Sequence, residues 1–169
     1  MLIRAEEPGD NSSVRRVNEL AFERPQEADL VDALREKARP CISLVALVGG
    51  EIVGHIFFSP VTVEGEDATF MAMGLAPMAV APEYQRQGVG SLLVREGLEK
   101  CKLIGHYVVF VLGHAEYYPR FGFNPASSKG LRSEYDVSDE AFMLAELRPD
   151  ALAGRSGLVR YRPEFSRFD

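Results

Sequence analysis

The spacing of apolar residues changes period several times along the chain, and each change marks an expected element. Residues 2–6 alternate weakly and predict a first strand. Capping residues at 10–13 precede Val14, Val17, Leu20 and Ala21, which share one helical face. Pro25 restarts the chain, and Leu30, Val31, Leu34 and Ala38 predict a second amphipathic helix that Pro40 ends. The opposite face of that helix carries Glu27, Asp29, Asp32 and Glu36. It reads as a solvated face, with a lip that attracts a cationic amine as the functional alternative.

From residue 42 the pattern turns to strands. Residues 42–48 and 51–63 flank Gly49 and Gly50 as a hairpin, 64–67 turn the chain, and 68–80 make a long apolar strand, bent or bulged near Gly74 and Pro77. Helical spacing returns at 91–102, where Val94 and Leu98 lie beside Leu93, Gly97 and Cys101. The short apolar run 107–112 is then a buried strand, reached by a right-handed parallel crossover. Residues 126–140 read as a surface loop and 142–147 and 157–161 as two last strands, with one helical turn expected in 149–154.

Composition narrows the function classes. A chain of 169 residues with 46% hydrophobic and 26% charged residues has what one soluble domain needs for a core. A formal charge of −6 argues against a general nucleic-acid binder, which is usually basic. No apolar run approaches the ~20 residues of a membrane span, and the N-terminal residues lack a basic-then-apolar leader, so a cytoplasmic protein without membrane partners is expected. Cys41 and Cys101 stand far apart without CxxC spacing, and His55, His106 and His114 show no ligand spacing. Neither a disulfide framework nor a metal is expected.

The candidate chemistry lies between the long strand and the helix after it. Met78, Ala79 and Val80 end the strand; Gln85, Arg86 and Gln87 turn the chain; Gly88, Val89, Gly90 and Ser91 open the helix. Strand, loop and helix start are the recipe for an anion site, because the first helical N–H groups have no internal partners. No carboxylate occupies the first turn to answer the dipole, and Arg86 adds positive charge. A Walker loop is excluded by the absence of Gly-Lys-Ser/Thr, and a dinucleotide fingerprint by Leu93 where a third glycine belongs.

The remaining spacing, Gln/Arg-x-x-Gly-x-Gly/Ala at Gln85, Gly88 and Gly90, resembles the acetyl-coenzyme A pyrophosphate loop of the GNAT superfamily of N-acetyltransferases. A second resemblance is the Tyr-x-x-x-Gly-Phe of that family, met by Tyr118, Gly122 and Phe123, with Tyr117 as its neighbour. His114 stands near where the family often has an asparagine. The segments from Gly54 to Val61, Tyr117 to Phe123 and Leu158 to Tyr161 further resemble a bacterial subgroup of predicted N-acetyltransferases.

The resemblance implies one GNAT-like α/β (α+β) domain over residues 1–169, a mixed central sheet of about seven strands flanked by about four helices. It implies acetyl-coenzyme A as co-substrate and direct transfer of acetyl to a primary amine of a small molecule or peptide. The cofactor would lie on Met78, Ala79 and Val80 and on the loop from Gln85 to Ser91, with Tyr118 protonating the leaving thiolate. The base that takes the amine proton stays open between Glu116, His55 and water. A non-catalytic acyl-coenzyme A sensor is the rival reading, and a homodimer through the tail strands is a further possibility.

Overall fold

The computed structural model describes residues 1–167. Its strands are β1 (Leu2–Ala5), β2 (Ile42–Val48), β3 (Glu51–Glu64), β4 (Thr69–Val80), β5 (Val108–Leu112), β6 (Asn124–Pro125), β7 (Leu131–Ser133), β8 (Phe142–Glu146) and β9 (Gly157–Arg160). Its helices are α1 (Asn11–Phe22), α2 (Gln26–Lys37), α3 (Val89–Leu103) and α4 (Glu164–Arg167). All nine strands join one mixed sheet, ordered β1-β2-β3-β4-β5-β8-β6, with β9 pairing the far half of β3 and β7 pairing β9. Among the described residues only β4–β5 and β7–β9 are parallel.

The alternation of β3 sorts the layers. Ile56 and Phe58 face Leu93, Val94 and Leu98 of α3, while Phe57 faces Val14 of α1 and Leu30, Val31 and Leu34 of α2. Helices therefore cover both faces. α3 presses closely on β3 because Gly97 has no side chain: a Cβ there would lie 2.2 Å from Cε1 of the fully buried Phe58. Gly97→Ala gains helix propensity but forces that ring from its seat. A net loss of about 2 kcal/mol is expected, read as a lower midpoint in urea unfolding with an unchanged slope.

Two local readings need correction. The expected loop at 126–140 contains β7, and β6 precedes it; strands of two and three residues are too short to show a period. The turn expected as helix in 149–154 is not one. Asp150 and Ala153 both take φ of 53°, and the hydrogen bonds there, Ala153 N–H to Asp150 and Arg155 N–H to Leu152, close separate turns. The helix near the C-terminus is instead α4, where Glu164 is buried and ion-paired with Arg162 at 2.6 Å. The tail strand β9 lies between β3 and β7.

Candidate functional site

The cleft follows from where strands part. β4 and β5 pair only at Met73–Leu75 with Val109–Val111, and beyond Leu75 β4 keeps β3 as its neighbour to Val80 while its other edge is left open. Opposite Phe57 the register slips, with Ala76 and Pro77 as the extra length on β4, which is the expected bulge. Across the sheet, the Ala81 amide bonds the Val53 carbonyl at 2.8 Å. Main-chain groups alternate along a strand, so those of Ala79 face β3 and those of Met78 and Val80 face the splay. Gln85 Nε2 donates to the Val80 carbonyl at 3.0 Å and fixes the loop to that edge. The Met78 main chain is left facing the opening.

At one end of the splay stands the anion loop. A short 3₁₀ turn at Pro82–Tyr84 leads to Arg86 with φ of 62° and to Gly88 with φ of 87°. Left-handed backbone at Gly88 is where glycine is needed, and nothing lies within 4 Å of a Cβ position there. α3 starts with no side-chain cap and no acid in its first turn. Its ladder begins with the Leu92 N–H on the Gly88 carbonyl, so the amides of Val89, Gly90 and Ser91 point out of the helix start unpaired within it.

At the other end, β5 runs into Gly113 and a 3₁₀ turn, Tyr118–Phe121. A Cβ on Gly113 would meet Tyr118 Cε2 at 2.4 Å, so the ring lies directly on the backbone that ends β5. Tyr118 also packs edge-on to Phe123 at 5.6 Å and to Tyr117 at 5.1 Å, with 7% of its surface exposed. Burial, reinforced by Tyr117, pushes its phenol up to about 12. It is therefore a protonated group at any working pH. Tyr117 reaches the other way: its hydroxyl is 3.3 Å from Ser91 Oγ, over the start of α3.

These parts line one cleft of about 1150 Å³. Met78, Val80, Gln85, Arg86, Gly88, Gly90, Ser91 and Tyr118 all border it. Ala79 and Val89 put their side chains in the core, and the Gln87 amide donates to the Glu83 carbonyl at 2.9 Å. The second wall comes from α1, α2, the turn between them and α4, through Phe22, Arg24, Glu27, Leu30 and Phe165; of these only Glu27 is read from sequence, as part of the acidic face with a cation-attracting lip as its alternative. Glu27 belongs to the acidic face of α2, but nothing local separates it from Asp29 and Asp32, which instead hold Arg15 at 2.7 and 2.9 Å.

Of the candidate bases, neither side chain borders the cleft. Glu116 is exposed. His55 is fully buried on β3, where Asn18 Nδ2 donates to its Nδ1 at 3.2 Å and its Nε2 lies 2.8 Å from Ser43 Oγ. Burial, with Arg35 adding to it, drives its pKa down to about 3. Cys101 is buried in the core, and burial raises its thiol to about 12. Among the described residues no group of three or more His, Cys, Asp or Glu is placed to hold a metal, and no helix is long and apolar enough to cross a membrane.

A splayed mixed sheet with an uncapped helix start on one side and a buried tyrosine on the other defines an acyltransferase class, and the comparisons name its family. Residues 3–126 match the family model described as Acetyltransferase (GNAT) domain. The chain is 48% identical over 134 residues to Escherichia coli "Uncharacterized N-acetyltransferase YjhQ", covering 78% of this chain and 74% of that one. It is 40% identical to E. coli "Uncharacterized N-acetyltransferase YhbS" over 99% of this chain and all of that one. The crystal structure of YhbS in complex with CoA superposes with a TM-score of 0.91 at 39% identity, covering 99% of this chain and 93% of that one. A GNAT family acetyltransferase from Brucella melitensis in complex with acetyl-CoA gives 0.78 at 35% identity, covering 97% of each. The chain belongs to the GNAT acetyltransferase family.

Proposed function

We propose that the protein transfers the acetyl group of acetyl-coenzyme A to a primary amine by direct attack. The observation that carries this is the continuity of the cleft: uncapped helix amides, a free main-chain edge at Met78 and a protonated tyrosine border one space. The relatives solved with CoA and acetyl-CoA support the choice of co-substrate. Its pyrophosphate takes hydrogen bonds from the start of α3, with Arg86 supplying charge. The pantetheine arm lies along Met78 and Val80 as an added strand, and the Met78 N–H faces the thioester carbonyl as an oxyanion donor.

The amine nitrogen attacks the carbonyl carbon, the C–N bond forms and the C–S bond breaks. Tyr118 hydrogen-bonds the sulfur as negative charge grows there. The extra ammonium proton passes to water, since His55 and Glu116 stand outside the cleft lining.

The test is thiol release from acetyl-coenzyme A across polyamines, amino acids, aminoglycosides and peptides, run beside direct cofactor binding. Turnover with some amine supports the reading. Absence of cofactor binding sinks it, and tight binding without turnover across the panel favours a sensor. Arg86→Ala is expected to weaken acetyl-coenzyme A binding by about tenfold, the usual worth of one charge-assisted hydrogen bond, with the loss shrinking in high salt.

A further inference from the structure

The cleft passes through the sheet. Its anion loop belongs to the α3 face, whereas Phe22, Leu30 and Phe165 come from α1, α2 and α4 on the other, with Leu75, Pro77 and Leu112 of the sheet between. The second face is apolar and held in place. Leu30 is 8% exposed, and Phe165 packs on the cluster that contains Leu30 and edge-on to Tyr161 at 5.3 Å. Phe22 is the last residue of α1 and stays 36% exposed, a ring left facing water at the cleft. Such surface is withdrawn from water only when an apolar group covers it.

Charge on the lining points the same way. Glu27 is the single carboxylate among the described lining residues, and Arg24 holds both its oxygens, Nε at 2.9 Å. Asp29 and Asp32 of the same helix pair with Arg15, so at these positions the acidic face of α2 is engaged within the fold. Arg86 and Arg120 add positive charge to the lining. A second ammonium on the acceptor would therefore meet no lining carboxylate without a guanidinium already on it, among the described residues. Positive charge nearby also favours the neutral form of an amine, which is the form that attacks. Resting on the acetyl-transfer reading above, we propose that Phe22, Leu30 and Phe165 form the acceptor's specificity subsite, and that the acceptor is a small primary monoamine carrying an aryl or alkyl group. That group lies against the two rings and Leu30, and the nitrogen reaches back through the splay to the thioester.

The experiment titrates n-alkylamines from ethylamine to hexylamine, phenethylamine, and the α,ω-diamines of equal carbon count into the protein loaded with coenzyme A. Thiol release from acetyl-coenzyme A is followed with the same amines. Wild type is expected to gain about threefold in affinity per added methylene, and to bind each diamine at least about tenfold more weakly than its monoamine. Phe22→Ser is expected to flatten that gain and Phe22→Leu to restore most of it. Affinity independent of chain length, diamines bound as well as monoamines, or a gain untouched by Phe22→Ser overturns the assignment. Propionyl-, butyryl- and hexanoyl-coenzyme A are run with ethylamine beside these: a gain along the acyl series with none along the amines gives the wall to the acyl chain and removes the proposal. Turnover with equal efficiency along the amine series removes the subsite and leaves acetyl transfer standing. Chain-length-dependent binding without thiol release keeps the subsite and removes acetyl transfer.

Discussion

Tyr118→Phe is expected to lower kcat for acetyl transfer by about two orders of magnitude, the lower end of what a positioned proton donor contributes. The low end is expected because the donor is weak. With the phenol pushed up to about 12 and a free thiol near ~8.5, the proton sits roughly 3.5 pKa units on the wrong side for complete transfer. In the proposed mechanism Tyr118 offers a hydrogen bond that strengthens as the sulfur gains charge, which is stabilisation realised only in the transition state. The loss therefore falls on kcat, with acetyl-coenzyme A affinity within about twofold of wild type. The ring stays: Phe keeps the contacts with Gly113, Phe123 and Tyr117, so the fold is unchanged. Tyr117→Phe is the control. Its hydroxyl meets Ser91 over the α3 start, so its removal acts on cofactor binding and leaves kcat nearly intact. Equal kcat in wild type and Tyr118→Phe, measured by thiol release under saturating co-substrate, would show that the thiolate leaves unaided.

What the sequence made legible was local. Gln85, Gly88 and Gly90 declare a strand-to-helix turn within six residues, and the absent acid in the first turn of α3 is read directly. The long strands announce themselves by runs of apolar residues, and Pro77 marked the bulge where β4 slips against β3. The second wall was signalled only by the acidic face of α2, with nothing to single out Glu27. Glu27 shares its helix face with Asp29 and Asp32, and only the packing of α1 on α2 turns those two toward Arg15 and leaves Glu27 at the cleft. Phe165 reaches the same wall from the far end of the chain. His55 shows the converse: a histidine on β3 directly opposite Ala79, yet directed into a buried polar chain by its partners. Local pattern reports which face a residue takes, and which neighbour waits on that face is a tertiary fact.

That buried chain makes stability fall with acid. Asn18 Nδ2 also donates to the Val14 carbonyl at 3.0 Å, which fixes its amide as the donor toward His55 Nδ1. His55 then carries its proton on Nε2 and donates to Ser43 Oγ, which donates to Glu6 at 2.6 Å; Glu6 in turn is held by Arg35 at 2.7 Å. A second proton on His55 would point Nδ1–H at an N–H donor, inside the core. The folded pKa, about 3, lies below the unfolded value of 6.5, so the unfolded chain binds the extra proton first. His55's contribution is complete above pH 6.5 and is lost as pH falls toward about 3, at roughly 1.4 kcal/mol per pH unit. Between pH 6.5 and 4.5 the wild type is expected to lose about 2 kcal/mol from this residue alone. His106, whose pKa burial also lowers, adds in the same direction, so the comparison is made against His55→Asn. That variant is less stable at neutral pH because it leaves Ser43 without its donor and opens a void. Its stability nevertheless falls less steeply in acid, by the share His55 held. Denaturant unfolding of both proteins at closely spaced pH values gives the two slopes, and parallel curves would mean that His55 titrates freely in the folded protein.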